Sequence, residues 1–322
     1  MVIKCCDGVE DKKSNDVPWI MHSGCHYKIS QNYCQDQDMA SIVIPLELVE
    51  LIIEHLFDDT KTLATCSLVC SAWVARTRHW LFGTVHLDCW CSRAFIHLLL
   101  HPSSTILYHI HRLHIDCSTS PGHTTLDYPI LFFDSFLSAF QRVTDLRAIR
   151  SIQSLRLSNL DLTSYPLETQ SRMTSTLACL FPEITSLGLD QVVLHDMRQL
   201  NSTVLRAFPC LGRLEARVKF LKYLEHTTVP VAISGEDSLP AGLKEIELGH
   251  DGMATVLCYI ANARSRSHCQ DGLNVHHLSL KGCTPEMLPY VSGAVHALSA
   301  SLKTLRISFF SEKVQYYDCN FP

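Results

Sequence analysis

The sequence predicts a two-part α/β (α+β) fold, in which three short helices precede a solenoid of parallel strands with intervening helices. Three observations predict this fold. Apolar residues recur at helical spacing over residues 45–82, one short strand pattern recurs seven times after residue 105, and the segments between its copies again have helical spacing. With 322 residues, of which 47% are hydrophobic, the chain exceeds what one compact core usually fills.

The composition argues against several classes of function. The net charge is −5, from 27 basic and 32 acidic residues, so the chain lacks the basic excess that nucleic-acid binding requires. The 15 cysteines are odd in number, contain no C-x-x-C pair and follow no signal peptide. We therefore expect a reducing compartment, cytoplasmic or nuclear, in which most thiols are buried as small apolar groups. No apolar run approaches the roughly 20 residues of a membrane span, so we do not expect a membrane as a partner. The net charge likewise leads us to expect no nucleic acid as a partner.

Residues 1–40 are predicted to form a disordered leader, because they are polar and have no repeating apolar face. Four potential metal ligands, His22, Cys25, His26 and Cys34, fall within it. Their spacing does not match a closed tetrahedral site, and we expect no metal there.

Residues 41–84 are predicted to form a module of three helices. The first covers about residues 45–57, and Pro45 suits its first turn. Asp58, Asp59 and Thr60 supply capping groups for the second helix, whose apolar stretch ends near Ser71, and the third helix covers about residues 71–82. Three helices this short cannot bury all their apolar side chains among themselves, so we expect another surface to cover the remainder.

Residues 85–322 are predicted to form the repetitive array. The recurring pattern is L-x-x-L-x-L, in which alternate side chains of a short strand enter a core. Its copies begin 42, 32, 27, 32, 32 and 27 residues apart. They are Ile110/Leu113/Ile115, Ile152/Leu155/Leu157, Ile184/Leu187/Leu189, Leu211/Leu214/Ala216, Leu243/Ile246/Leu248, Val275/Leu278/Leu280 and Leu302/Leu305/Ile307. Aromatic residues follow the last copy without a cap helix, which indicates a truncated or unusually ended array.

Residues 44–83 keep the order and gaps of a known motif, written loosely as LPxEL…I…L…L…VCxxW, with Ile44 in place of the usual Leu and Ser71-Ala72 before the tryptophan. With this motif the segment resembles an F-box, the three-helix module that binds the Skp-type adaptor of cullin-based SCF ubiquitin ligases. The resemblance implies adaptor contacts by Pro45, Leu46, Leu48, Ile52, Leu56, Leu63, Leu68, Val69, Cys70 and Trp73.

The strand pattern is that of leucine-rich repeats, and the whole chain after residue 43 resembles the F-box/leucine-rich-repeat substrate receptors. The resemblance implies a non-catalytic subunit that binds the adaptor, and through it a cullin, while the repeats hold a target protein for ubiquitination. Outward residues of the strands are the candidate target contacts: Arg156, Arg213, Arg217, Glu245, Glu247, His277, Lys281 and Arg306. The arginines suit a phosphorylated or acidic segment, although a solvated polar face is the simpler interpretation.

Motifs of catalysis and cofactor binding are missing from the sequence. It contains no G-x-G-x-x-G, G-x-x-x-x-G-K, H-E-x-x-H or G-x-S-x-G, so we expect neither an enzyme nor a cofactor. Three of the 18 histidines, His109, His111 and His114, are close in sequence, but on one strand they would not share a face. Two other hypotheses remain at this point: a repeat scaffold that acts outside any ligase, and a redox or metal protein.

Overall fold

A computed structural model describes the greater part of the chain after residue 44. The described residues are 45–88, 92–101, 104–118, 136, 138, 142, 149–221, 239–266, 273–310 and 316–320. The predicted leader lies outside this set, as do most residues of 131–140, a segment with helical spacing between the first two copies of the strand pattern.

The first part of the described chain consists of three helices: α1 (Leu46–His55), α2 (Thr60–Cys66) and α3 (Ser71–Phe82). The bounds of α1 and α3 agree with the predicted bounds to within about two residues, the usual uncertainty of a helix end. Helix α2 is shorter than predicted, because it ends at Cys66 and the apolar residues Leu68 and Val69 lie in a turn before α3. The predicted N-cap of α2 is confirmed, because a carboxylate oxygen of Asp59 accepts the backbone N–H of Thr62 at 3.0 Å. The Thr62 hydroxyl also donates to this carboxylate, at 2.6 Å, and the two hydrogen bonds, that of the hydroxyl first, hold the pKa of Asp59 below its usual value.

A small apolar cluster holds the three helices together. Its buried members are Val49 and Ile53 of α1, Leu63 of α2 and Leu81 of α3. Val49 and Ile53 are four residues apart and therefore lie on one face of α1. Arg76 of α3 also pairs with Glu54 of α1, which links the two helices at the edge of the cluster.

The second part contains one sheet whose strand order follows the sequence. Eight strands are parallel and the ninth is antiparallel to the eighth. The strands are β1 (Thr84–Leu87), β2 (Arg112–Asp116), β3 (Ser154–Ser158), β4 (Ser186–Leu194), β5 (Arg213–Phe220), β6 (Glu245–Leu248), β7 (His277–Cys283), β8 (Thr304–Phe309) and β9 (Tyr316–Asn320). The predicted parallel strands with intervening helices are thus present.

Helical segments connect the strands on the side where the core lies. The α-helices are α4 (Ser92–Leu99), α5 (Leu167–Leu180), α6 (Met253–Arg266) and α7 (Leu288–Leu298). Between β4 and β5 the helix is irregular and consists of an α turn (Met197–Gln199), a π turn (Leu200–Val204) and a 3₁₀ turn (Leu205–Ala207). Further 3₁₀ turns cover Ile106–His109, Leu162–Ser164 and Pro285–Met287.

The eight parallel strands are held in one register by a repeated backbone hydrogen bond. At the start of each strand from β2 to β8, two consecutive N–H groups donate to one carbonyl oxygen of the preceding unit, at 2.8–3.1 Å. The accepting carbonyls belong to Gly83, His111, Gln153, Thr185, Gly212, Lys244 and His276. The register aligns the predicted core positions, so that the column from Val85 through Leu113 and Leu155 to Leu305 is buried throughout.

Two strands were not predicted. β1 has the expected pattern, with Phe82, Val85 and Leu87 at the same spacing as the later copies, but Phe82 also ends α3 and its pattern was interpreted as helical. The Phe82 side chain packs against both the small cluster and the core of the sheet. β9 pairs with β8 in antiparallel register, as Arg306 lies opposite Asp318.

Substitution of Leu155 by Ala is expected to destabilise the protein by about 3 kcal/mol, because it removes a wholly buried side chain from the central column. Denaturant unfolding followed by circular dichroism measures this loss. The matched control is Leu167→Ala, at a side chain that is 77% exposed, for which we expect a change within about 0.5 kcal/mol. Equal losses for the two variants would contradict the assignment of the core face.

Candidate protein-interaction surfaces

The three helices expose an unusual number of large apolar side chains. We call this set the module surface; it comprises Leu46, Leu48, Leu51 and Ile52 of α1, Phe57 after α1, and Leu68 and Val69 in the turn between α2 and α3. Leu68 is the most exposed, at 86% of its full area. Helix α1 therefore carries apolar residues on two faces, of which only the face of Val49 and Ile53 is buried in the small cluster.

The residues predicted to contact an adaptor fall into two groups. Seven are exposed and available to a partner: Pro45, Leu46, Leu48, Ile52, Leu68, Val69 and Cys70. Leu63 is wholly buried, and Leu56 and Trp73 are partly buried against the small cluster. These three therefore support the helices from inside. Phe57 and Leu51 belong to the exposed set, and the motif had not singled them out.

The side of the sheet opposite the core carries the predicted target contacts. We call it the open face; it is formed by the outward side chains of β1 to β8. The alternation that was predicted is confirmed, because the residues on either side of Arg156, Glu215 and Glu247 are buried. Arg213 and Glu245 are opposite charges side by side in one row, whereas Glu215 and Glu247 are like charges side by side in the next.

Most charged residues of the open face pair with one another. Arg213 lies 3.3 Å from Glu245 and 3.6 Å from Glu247 between nitrogen and oxygen, and Arg217 lies 3.4 Å from Asp190 and 3.9 Å from Glu215. The remaining pairs of this network are Arg156 with Glu215 and Lys281 with Glu247. Three of the four arginines considered for phosphate recognition thus already have carboxylate partners, so this arrangement favours the solvated polar face.

Glycine allows one of these pairs to skip a strand. Arg156 is on β3 and Glu215 is on β5, and Gly188 of β4 occupies the row between them. A Cβ atom on Gly188 would lie 3.0 Å from Nε and 3.2 Å from Cγ of Arg156, which is closer than ordinary contact. The arginine therefore lies across the glycine backbone to reach its partner. Gly249, just after β6, likewise leaves room for the Arg217 side chain, whose Cγ would be 2.1 Å from such a Cβ, but Arg217 pairs with carboxylates on β4 and β5 and does not reach across this glycine to a partner.

A pair of histidines occupies the open face at the first two strands. Nδ1 of His86 lies 2.8 Å from Nδ1 of His114, and Nε2 of His114 lies 2.7 Å from the Ser158 hydroxyl. Burial is the main cause that lowers the pKa of both rings, and the positive charge of Arg156 adds to it. Of the three histidines that are close in sequence, only His114 lies on a strand, because His109 ends a 3₁₀ turn and β2 begins after His111.

The described residues show neither a metal cluster nor a membrane span. No group of three potential ligands among them converges as a metal site would require, and none of their helices is both long and apolar enough to cross a bilayer.

The expectation that most thiols are buried is wrong for the described cysteines: Cys66, Cys117 and Cys283 are buried, Cys258 is half-buried, and Cys70, Cys179 and Cys210 are exposed. Burial raises the pKa of the Cys283 thiol.

Comparison with protein-family models found no family that matches this sequence, and comparison with curated proteins found no match.

The Arg156–Glu215 ion pair is expected to depend on Gly188. In the wild-type protein, a double-mutant cycle with Arg156→Ala and Glu215→Ala should yield a coupling energy of about 0.5–1 kcal/mol, as for other partly exposed pairs. Repeated in a Gly188→Val background, the cycle should yield a value near zero, because the valine side chain occupies the path of the arginine. An unchanged coupling energy would contradict this geometry. Denaturant unfolding supplies all the free energies.

Acidification is expected to destabilise the protein through its neutral histidines. Since the pKa values of His86 and His114 are lowered from 6.5, the unfolded chain binds protons more readily than the folded one. Stability is therefore fully present above pH 6.5 and falls as the pH drops from there through the lowered values. Urea unfolding at about pH 7.5 and about pH 5.5 measures the fall.

The double variant His86→Asn/His114→Asn should show a smaller loss of stability on acidification than the wild-type protein. Part of the loss should persist, because the pKa values of His79 and His109 are lowered as well, again mainly by burial. His97→Asn, at an exposed position of α4, is the control and should behave like the wild-type protein. A double variant as sensitive to acid as the control would contradict the prediction.

Proposed function

We propose that this protein is a non-catalytic substrate receptor of an SCF-type ubiquitin ligase. In this proposal the three helices form an F-box that binds a Skp-type adaptor, and through it a cullin. The strand–helix units form a leucine-rich-repeat solenoid whose open face holds a target protein. The protein would act in the cytoplasm, the nucleus or both. The observation that carries the proposal is the exposure of the module surface at the positions of the motif.

Physical chemistry supports a partner on the module surface. Burial of apolar side chains that are in contact with water is favourable, by about 25 cal/mol per Å² of apolar surface. The small cluster buries only a few side chains of the three helices. Four large apolar side chains therefore remain about half exposed or more: Leu48, Ile52, Leu68 and Val69. A cluster of exposed leucine, isoleucine and valine side chains on a small helical unit is typical of an interface with another protein.

The open face has a different character, which suits selection of a target. Its charges are largely paired within the sheet, so a target gains little from simple attraction to one sign of charge. It must instead match or exchange the existing pairs, and such matching contributes specificity more than affinity. In this role the chain performs no chemistry. It raises the effective concentration of target lysines beside an enzyme that is held elsewhere in the complex.

Adaptor binding is expected to depend on four exposed residues. The variant Leu48→Ala/Ile52→Ala/Leu68→Ala/Val69→Ala should bind a purified Skp-type adaptor at least about tenfold more weakly than the wild-type protein, because central apolar contacts dominate interfaces. Binding is measured by isothermal titration calorimetry. These positions are preferable to Leu56 and Trp73, whose truncation would also damage the small cluster.

The matched control is Leu167→Ala/Leu288→Ala, which removes exposed leucines from the strand–helix units. It should bind the adaptor as the wild-type protein does. Full adaptor binding by the fourfold variant would overturn the proposed docking surface. A wild-type protein that does not bind the adaptor, yet retains its other protein partners, would instead favour a repeat scaffold that acts outside a ligase.

A further inference from the structure

A cleft separates the three helices from the first strand–helix unit. It has a volume of about 640 Å³, which is within the range of small-molecule sites. One wall consists of residues of α2 and α3, with Ser67 after α2, and the described residues of the other are Leu98 of α4, His101, Ser104, Thr105 and Ile106. The cleft is distinct from the open face, none of whose residues line it.

The ionisable residues that line the cleft are all basic. Lys61 of α2, Arg78 of α3 and His101 lie around it, and no aspartate or glutamate is among its lining residues. This arrangement is unexpected in a chain whose net charge is −5. Nη1 of Arg78 donates a hydrogen bond to the Thr105 hydroxyl at 2.6 Å, which spans the cleft from one wall to the other. A guanidinium group has five N–H donors, so most of its capacity remains available to an anion.

Hydroxyl groups also line the cleft, beside these basic residues. Thr60, Ser67, Ser104 and Thr105 line the cleft. The buried hydroxyl oxygen of Ser104 has no hydrogen-bond partner among the described residues. A buried polar atom without a partner costs free energy, and in native proteins a ligand, ion or water commonly satisfies it. Hydroxyl and guanidinium donors together are the usual partners of phosphate oxygens.

The remainder of the cleft is apolar. Ala64, Leu81, Phe82, Leu98 and Ile106 line it, and Leu98 is 42% exposed. A bare inorganic anion would leave this part of the cleft in contact with water. A ligand that has both an apolar body and an anionic group would cover these apolar side chains, and their burial would favour binding.

We propose that this cleft binds a small phosphate monoester with an apolar body. The phosphate lies among Lys61, Arg78 and His101, and the organic group lies against Leu98 and Phe82. Because the two walls belong to different parts of the chain, the bound ligand joins the three helices to the first strand–helix unit. The proposal is independent of the proposed ligase function, since it requires neither an adaptor nor a target protein.

Phenyl phosphate is a suitable probe, and isothermal titration calorimetry with the full-length protein measures its binding. We expect a dissociation constant of about 1 mM or lower, the range for a ligand of this size. Inorganic phosphate should bind at least about tenfold more weakly, and phenol should not bind measurably. Binding should weaken as the salt concentration rises, because charge pairing at an open site is screened.

Two variants separate the contributions to binding. Lys61→Ala, at an exposed residue, should weaken phenyl phosphate binding about tenfold, whereas Lys303→Ala, at an exposed lysine just before β8, should leave it unchanged. Leu98→Ser should weaken binding of phenyl phosphate but not of inorganic phosphate. The absence of binding at about 10 mM phenyl phosphate, or equal affinities of Lys61→Ala and the wild-type protein, would overturn the proposal. Equal affinities for phenyl phosphate and inorganic phosphate would overturn the assignment of the apolar body.

Discussion

The in-register ladder of parallel strands is the constraint on which the other features of this structure depend. Each unit presents one carbonyl oxygen that accepts two consecutive N–H groups of the next strand, from Gly83 to His276. This bond fixes the register of each pair, and because side chains alternate along a strand, a shift by one residue would exchange the core face and the open face. The ladder thus aligns the core positions of the strands in buried rows that run across the sheet, and the charged residues of the open face in the rows between them.

The two candidate surfaces differ because their residues have different partners within the chain. On the open face, arginines and carboxylates on neighbouring strands are close enough to pair, and Gly188 lets Arg156 lie across β4 to reach Glu215. The module surface has no such internal partner among the described residues, since the small cluster takes only one face of α1. Any apolar partner of complementary shape can bind an apolar surface favourably. A polar surface whose charges are already paired binds favourably only a partner whose own charges complement those pairs. In the proposed function, the first kind of surface would bind the adaptor and the second would select a target.

The junction between the helices and the sheet combines several features in a short segment. Phe82 ends α3 and packs against both apolar clusters, and β1 begins two residues later. The rings of His79 and His111 lie 5.1 Å apart across this junction, and burial lowers the pKa of His79. Arg78 joins α3 to Thr105 at the edge of the cleft. The helices and the first strand are therefore in direct contact, and a ligand in the cleft would reinforce a junction that already exists.

The sequence by itself determined which residues form most strands and helices, because these depend on local periodicity: a period of two in the strands and of 3.6 in the helices. The core columns followed for the same reason. The sequence also indicated which residues of the motif could contact a partner. It did not indicate that Leu63 is buried while Leu68 is exposed, because burial depends on how the three helices pack. β1 was missed because Phe82 satisfies two patterns at once, and β9 because antiparallel pairing is not encoded in a repeat.

Only the tertiary structure decided the ion pairs, the histidine pair and the cleft. Arg156 and Glu215 are 59 positions apart and skip a strand, and His86 and His114 meet because β1, which was not predicted, lies beside β2. The cleft assembles Lys61, Arg78 and His101 from separate segments that approach one another only when the helices pack against the first strand–helix unit. The physical reason is common to all three: these contacts depend on distances between elements, whereas the sequence pattern reports only the periodicity within an element.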